Sequence, residues 1–119
     1  RSVSFFASGK GSGRGFAVSG GVASAVAEVI ARLDPSRHVD IDYGDGLREC
    51  RKMLTLAKAG KRNGYLLEGM ACPGGCVAGA GTITPVINAA SNVRTYKAKA
   101  AKQNSLDSAF VDRLEEVEE

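Results

Sequence analysis

Glu68-Gly-Met-Ala-Cys-Pro-Gly-Gly-Cys-Val-Ala-Gly-Ala-Gly-Thr82 follows the apolar run Tyr65-Leu66-Leu67, and its reading decides how the rest of the chain is understood. An apolar run breaking into a glycine-rich loop reads as a buried strand that delivers a site at its C-terminal end. The stretch holds Cys72 and Cys76, two of the chain's three cysteines, separated by Pro73, Gly74 and Gly75. Thiolates favour soft metals and iron–sulfur clusters. Gly69, Gly74, Gly75, Gly79 and Gly81 let backbone approach a bulky inorganic group and aim N–H groups at its sulfides. Ala71, Val77, Ala78 and Ala80 add neither bulk nor charge, which suits a dry pocket.

Spacing alone leaves several readings open. Cys-x-x-x-Cys is less diagnostic than the Cys-x-x-Cys of zinc sites and redox pairs. Two thiolates cannot complete the four-thiolate shell of a structural zinc or an ordinary cluster. A strand leading through glycines into a helix can also cradle phosphate, but Gly-x-x-x-x-Gly-Lys-Ser/Thr is absent and the loop contains no lysine. Composition and spacing do not separate a metal site from a structural turn.

Met-Ala-Cys-Pro-Gly-Gly-Cys at 70–76, with Glu68 before it and small residues after it, resembles the third cluster-binding motif of iron-only (di-iron) hydrogenases. In that family the H-cluster is a four-iron four-sulfur cubane joined through one cysteine thiolate to a di-iron subcluster. The resemblance implies that Cys72 binds the cubane alone and that Cys76 bridges cubane and di-iron centre. Met70 matches the methionine that walls the di-iron pocket. Gly74, Gly75, Gly79 and Gly81 match the glycines around the cofactor. Phe16 to Val22, with Gly20-Gly21-Val22, is similar to the segment ahead of the third motif in which a strand turns through two glycines into a helix. The family usually carries three glycines and then Gln-Pro, where this chain has Gly79-Ala80-Gly81-Thr82 and Pro85 further on. The family's other two cluster motifs do not occur in these 119 residues. The resemblance therefore implies half of an active site for reversible reduction of protons to dihydrogen, inactive alone and without the cofactor when isolated. The other cysteines would come from the remainder of a catalytic domain, and electrons from a ferredoxin-like donor. An iron–sulfur scaffold or a hydrogen-sensing module without turnover is the alternative. A phosphate-binding module is a further rival, and it would survive loss of both cysteines.

Upstream of the strand, Leu47, Cys50, Leu54 and Ala57 form a helical stripe with Met53 beside it, and Arg48, Arg51, Lys52 and Lys58 face away. Cys50 thus reads as a small buried hydrophobe. His38 to Tyr43 alternates apolar and polar residues, as an edge strand does, with His38 on the surface and Asp40, Asp42 and Asp45 solvated. Val22, Ala25, Val26, Val29, Ile30 and Leu33 recur at helical spacing until Asp34-Pro35 ends the run. Gly15 to Val18 reads as a short strand, and residues 3–6 as a candidate fourth. Downstream, Ile83–Ala90 and Val93–Gln103 read as two helices broken at Ser91-Asn92, and Asn104-Ser105 caps a last, acidic helix. With two ligands missing and five glycines in the loop, residues 69–81 are expected to be the most mobile internal segment.

These elements imply an α/β fold, a small mostly parallel sheet of three to four strands flanked by helices, matching one lobe of a hydrogenase catalytic domain. The divisions expected are a flexible glycine-rich lead-in at 1–15, the cluster-binding lobe at 16–104 and the acidic helix at 105–119. The chain starts at Arg1 and reads as part of a longer protein. Its formal charge of +3 is uneven, since residues 1–106 hold 15 of the 16 basic groups and seven of the 13 acidic ones. No nucleic-acid motif accompanies that balance, so a solvated or partner-docking face is expected, not nucleic acid. No segment has a membrane span's length or a signal peptide's pattern. An odd cysteine count without secretory features points to a reducing compartment, the cytoplasm.

Overall fold

The computed structural model of the chain describes residues 9–109 and residue 111. In order these form helix α1 (Gly11–Arg14), helix α2 (Gly21–Leu33), strand β1 (Ile41–Asp45), helix α3 (Leu47–Lys58), strand β2 (Leu66–Met70), a 3-10 turn (Cys76–Ala78), helix α4 (Val86–Ala98) and a second 3-10 turn (Ser105–Asp107). β1 and β2 pair in parallel, from Ile41 opposite Leu66 to Asp45 opposite Met70. The crossover between them is α3, as parallel pairing requires. The α/β class and the parallel sheet are as expected, but the sheet has two strands among the described residues, not three or four.

The lost strand is Gly15–Val18. Successive turns replace it, with Gly15 N–H bonding Ser12 O, Phe16 N–H bonding Gly13 O and Val18 N–H bonding Gly15 O. Three apolar residues between glycines offer too short a run to outcompete this local closure. The strand expected at 3–6 lies outside the described residues. Residues 9–15 are not the loop that their glycines suggest. Ser12 is buried, its Oγ lies 2.8 Å from both Glu28 Oε2 and Gln103 O, and Gly11 and Ser12 donate their N–H groups to Lys102 and Gln103 carbonyls.

α3 packs on the sheet through glycine. A Cβ on Gly44 would sit 2.6 Å from Cys50 Cα, and one on Gly69 would sit 3.2 Å from Cys50 Sγ. That close approach turns Cys50 and Met53 inward, with Met53 buried, while Leu47 and Leu54 are left 73% and 60% exposed. The expected stripe is therefore rotated: the residues over the two glycines are inside, not the leucines. On α2 the small residues Ala23 and Ala25 are the buried ones, and Leu33 is exposed. Downstream, α4 runs unbroken through Ser91 and Asn92, because each costs a helix interior less than about 1 kcal/mol. Asn104 does cap, accepting from Leu106 N–H while Asp107 accepts from Asn104 N–H, and Arg32 pairs with Asp107 at 2.7 Å. Most of the expected acidic helix lies outside the described residues.

One ion pair fixes the start of the sheet. Arg62 Nε lies 2.7 Å from Asp42 Oδ2, just before β2 begins. Hydrogen bonding to Arg62 holds the Asp42 carboxyl below its ordinary value of 3.8, helped by Tyr43 N–H. A lowered folded value means that the contribution is complete above the ordinary value and is lost as pH falls from there through the folded one. Thermal melts are expected to drop over that acidic window, and Arg62→Gln is expected to shallow the drop. An identical pH slope in the variant would contradict the role given to this pair.

Candidate functional site

β2 ends in the cysteine turn. Gly46 N–H donates to Met70 O at 2.8 Å, so the two strand ends are closed together immediately before Ala71. Gly75 N–H then bonds Cys72 O at 2.9 Å, with φ of +95° at Gly74 and +98° at Gly75. Two consecutive left-handed residues are accessible at low cost only to glycine. Cys76 opens the 3-10 turn, and Ala78 and Gly79 N–H groups bond back to Gly75 and Cys76 carbonyls. Gly79 has an ordinary φ of −67°; what it supplies is room, since a Cβ there would sit 3.1 Å from Cys76 O and 3.9 Å from Cys72 Sγ. Gly81 returns to positive φ, +89°, with open space around it.

Both cysteines are free thiols, Cys72 half-buried and Cys76 exposed, and Met70 is half-buried at the strand end. The structure thus brings together Met70, Cys72, Gly74, Gly75, Cys76 and Gly79 in one turn at the C-terminal end of the sheet. Cys50 is apart, its Sγ 3.2 Å from Gly44 O. His38 is on the surface, 3.4 Å from Asp40. Among the described residues, no group of three or more His, Cys, Asp and Glu side chains is placed to hold a metal.

The turn is tied from three directions. Ser19 N–H donates to Gly74 O at 3.1 Å, and Val77 N–H donates to Ala17 O at 3.1 Å. Gly74 N–H donates to Asp45 Oδ1 at 2.8 Å. Val77 is one of the buried apolar side chains among the described residues. Behind the turn, the buried Glu68 carboxylate accepts from Gly20 N–H through Oε2 and from Val22 and Ala23 N–H, both at 3.1 Å, through Oε1. It therefore satisfies the donors that the start of α2 leaves open and sits at the positive end of that helix. The sequence marks Glu68 only as a neighbour of the motif, and Asp45 only as one of several solvated acids.

The engagement of these amides also sorts the glycines. The N–H groups of Gly74 and Gly75 are spent on Asp45 and Cys72, so these residues shape the turn and do not offer donors. Ala71, Cys72, Cys76, Ala80 and Gly81 are the loop residues whose N–H groups make no hydrogen bond among the described residues.

The family model for the C-terminal domain of the iron-only hydrogenase large subunit matches residues 2–80. The chain belongs to that family. No curated protein sequence matches it. The hydrogenase match runs from before α1 through the cysteine turn and stops at Ala80. α4 and everything after it therefore lie beyond the matched part of the hydrogenase domain. None of the described helices is long and apolar enough to cross a membrane.

Proposed function

We propose that this chain supplies one wall of the H-cluster site of an iron-only hydrogenase, with Cys72 and Cys76 as two iron ligands. The observation that carries the reading is the display of both thiols by a glycine turn at the C-terminal end of β2, within the stretch matched to the family. The donor set suits the group, because soft thiolates select iron–sulfur clusters. The unspent N–H groups of Cys72, Cys76, Ala80 and Gly81 are available to its sulfides. When bound, the cluster supplies reversible reduction of protons to dihydrogen. The chain's own residues bind and orient: Cys72 and Cys76 ligate, Met70 walls the pocket, and Gly74 and Gly75 hold the turn.

Charge disfavours a phosphate cradle. The N-terminus of α2 is already filled by the Glu68 carboxylate, and Gly74 N–H by Asp45, so a phosphate would displace negative charge and meet more of it. The remaining ligands are proposed to come from the rest of a cytoplasmic catalytic domain. Ile83 and Ile87, 98% and 83% exposed just after the loop, support a partner surface there. Electrons would then come from a ferredoxin-like donor.

Anaerobic reconstitution of the chain with ferrous iron, sulfide and a small thiol that fills the remaining ligand positions tests this. The sulfide-to-iron charge-transfer absorption is expected in the native chain and in Cys50→Ala, and is expected to disappear in Cys72→Ala and Cys76→Ala. No hydrogen evolution is expected from the chain alone. Absorption that survives removal of both Cys72 and Cys76 overturns the assignment, and loading that makes the chain dimeric favours a scaffold shared between two copies.

A further inference from the structure

We infer that Asp45 is a positioning residue for the cysteine turn, an inference that rests on Cys72 and Cys76 being the iron ligands. Asp45 is the last residue of β1 and stands opposite Met70, the last residue of β2. Its Oδ1 reaches past the end of the sheet to Gly74 N–H at 2.8 Å. Gly74 is the middle residue of the Cys72–Cys76 span, and its carbonyl is held from another segment by Ser19 N–H at 3.1 Å. Both polar groups of this one residue are thereby fixed, one by β1 and one by the loop before α2. A residue at φ of +95° clamped on both groups cannot swing, so the cysteines two places before and two places after it keep their relative setting.

The neighbouring contacts close the same corner. Gly46 N–H bonds Met70 O, and a Cβ on Gly46, at φ of +94°, would sit 3.3 Å from the Pro73 ring. Asp45 itself is exposed and makes no ion pair among the described residues, although Arg94 and Lys97 line the same cleft. An exposed carboxylate contributes little to global stability. Its effect is therefore local: a charge-assisted bond that orients the turn and acts on the two cysteines through Gly74. Asparagine keeps the acceptor at the same reach, and alanine removes it.

The test compares the native chain with Asp45→Ala and Asp45→Asn, by amide exchange at Gly74 and by ferrous iron titration in the presence of sulfide and a small thiol. Asp45→Ala is expected to lose protection at Gly74 while Leu66, bonded to Asp40 within the sheet, keeps its own and the melting temperature holds. Iron affinity is expected to fall as well. Asp45→Asn is expected to restore both readouts. Unchanged Gly74 exchange in Asp45→Ala, or an asparagine variant as impaired as the alanine one, overturns the inference. If the native chain takes up no iron, the ligand reading fails by itself, and Gly74 exchange across the three proteins still decides whether Asp45 sets the turn.

Discussion

Glu68→Ala is expected to cost the chain about 4 kcal/mol and to remove most of its cooperative unfolding transition. The carboxylate is 9% exposed and accepts three backbone N–H groups at the entrance to α2. Hydrogen bonds to a charged group are worth roughly 1.5–3 kcal/mol each, and buried donors left without a partner lose their solvation as well. Three such bonds do not add fully, because they share one side chain. Even so, the sum is comparable with the lower end of total stability for a small domain, about 5 kcal/mol. Few other contacts would compensate, since the buried apolar side chains among the described residues are mostly alanine. Glu68→Gln keeps one acceptor oxygen and is expected to fall between. Urea melts followed by far-ultraviolet circular dichroism measure the effect, and a loss below about 1 kcal/mol would mean that Glu68 is not what joins α2 to β2.

Gly75→Ala is expected to be nearly as damaging, by about 3 kcal/mol, and to abolish iron uptake at the turn. Two costs coincide there. The backbone sits at φ of +98°, where an L side chain is strained by about 1–3 kcal/mol. The new Cβ would also lie 2.6 Å from both Ala17 O and Ser19 N, which are backbone atoms that cannot rotate away. Relief requires the 17–19 segment to move off the turn, breaking the Ser19–Gly74 and Val77–Ala17 bonds together. Gly81→Ala is the comparison, for it shares a positive φ but meets nothing within 4 Å. Iron titration of the two variants should separate them; equal uptake would show that the packing of the 17–19 segment on the turn has no bearing on the thiols.

The sequence made legible what depends on periodicity and on rare residue combinations. α2, α3 and β2 lie close to their expected places, since each carries several turns or pairs of patterned residues, while β1 runs from Ile41 to Asp45 where His38 to Tyr43 was expected. The cysteine turn was legible because Met70, Cys72, Pro73, Gly74, Gly75 and Cys76 rarely occur together, and the family match covers all of them. What was hidden depends on contacts between distant segments. Phe16 to Val18 has a strand's composition, yet its backbone turns and serves the cysteine loop. Asp45 and Glu68 look like any solvated acids until the fold sets backbone N–H groups against them. Leu47 and Leu54 are larger apolar side chains than Cys50, but only Cys50 faces Gly44, where a helix can come close.

The bonds from Glu68 to the start of α2 join residues 45 to 48 positions apart. Closing a flexible loop of that length costs roughly 3 kcal/mol of chain entropy before any contact rewards it. The unit β1–α3–β2 closes over a shorter span and can form first, carrying Cys72 and Cys76 at its end but without the 17–23 segment behind them. The two thiols reach their final relation only when that segment arrives. Under the proposed ligand assignment, a metal ion met earlier would find two cysteines on a loose strand end, so sequence separation would put completion of the fold before cluster uptake.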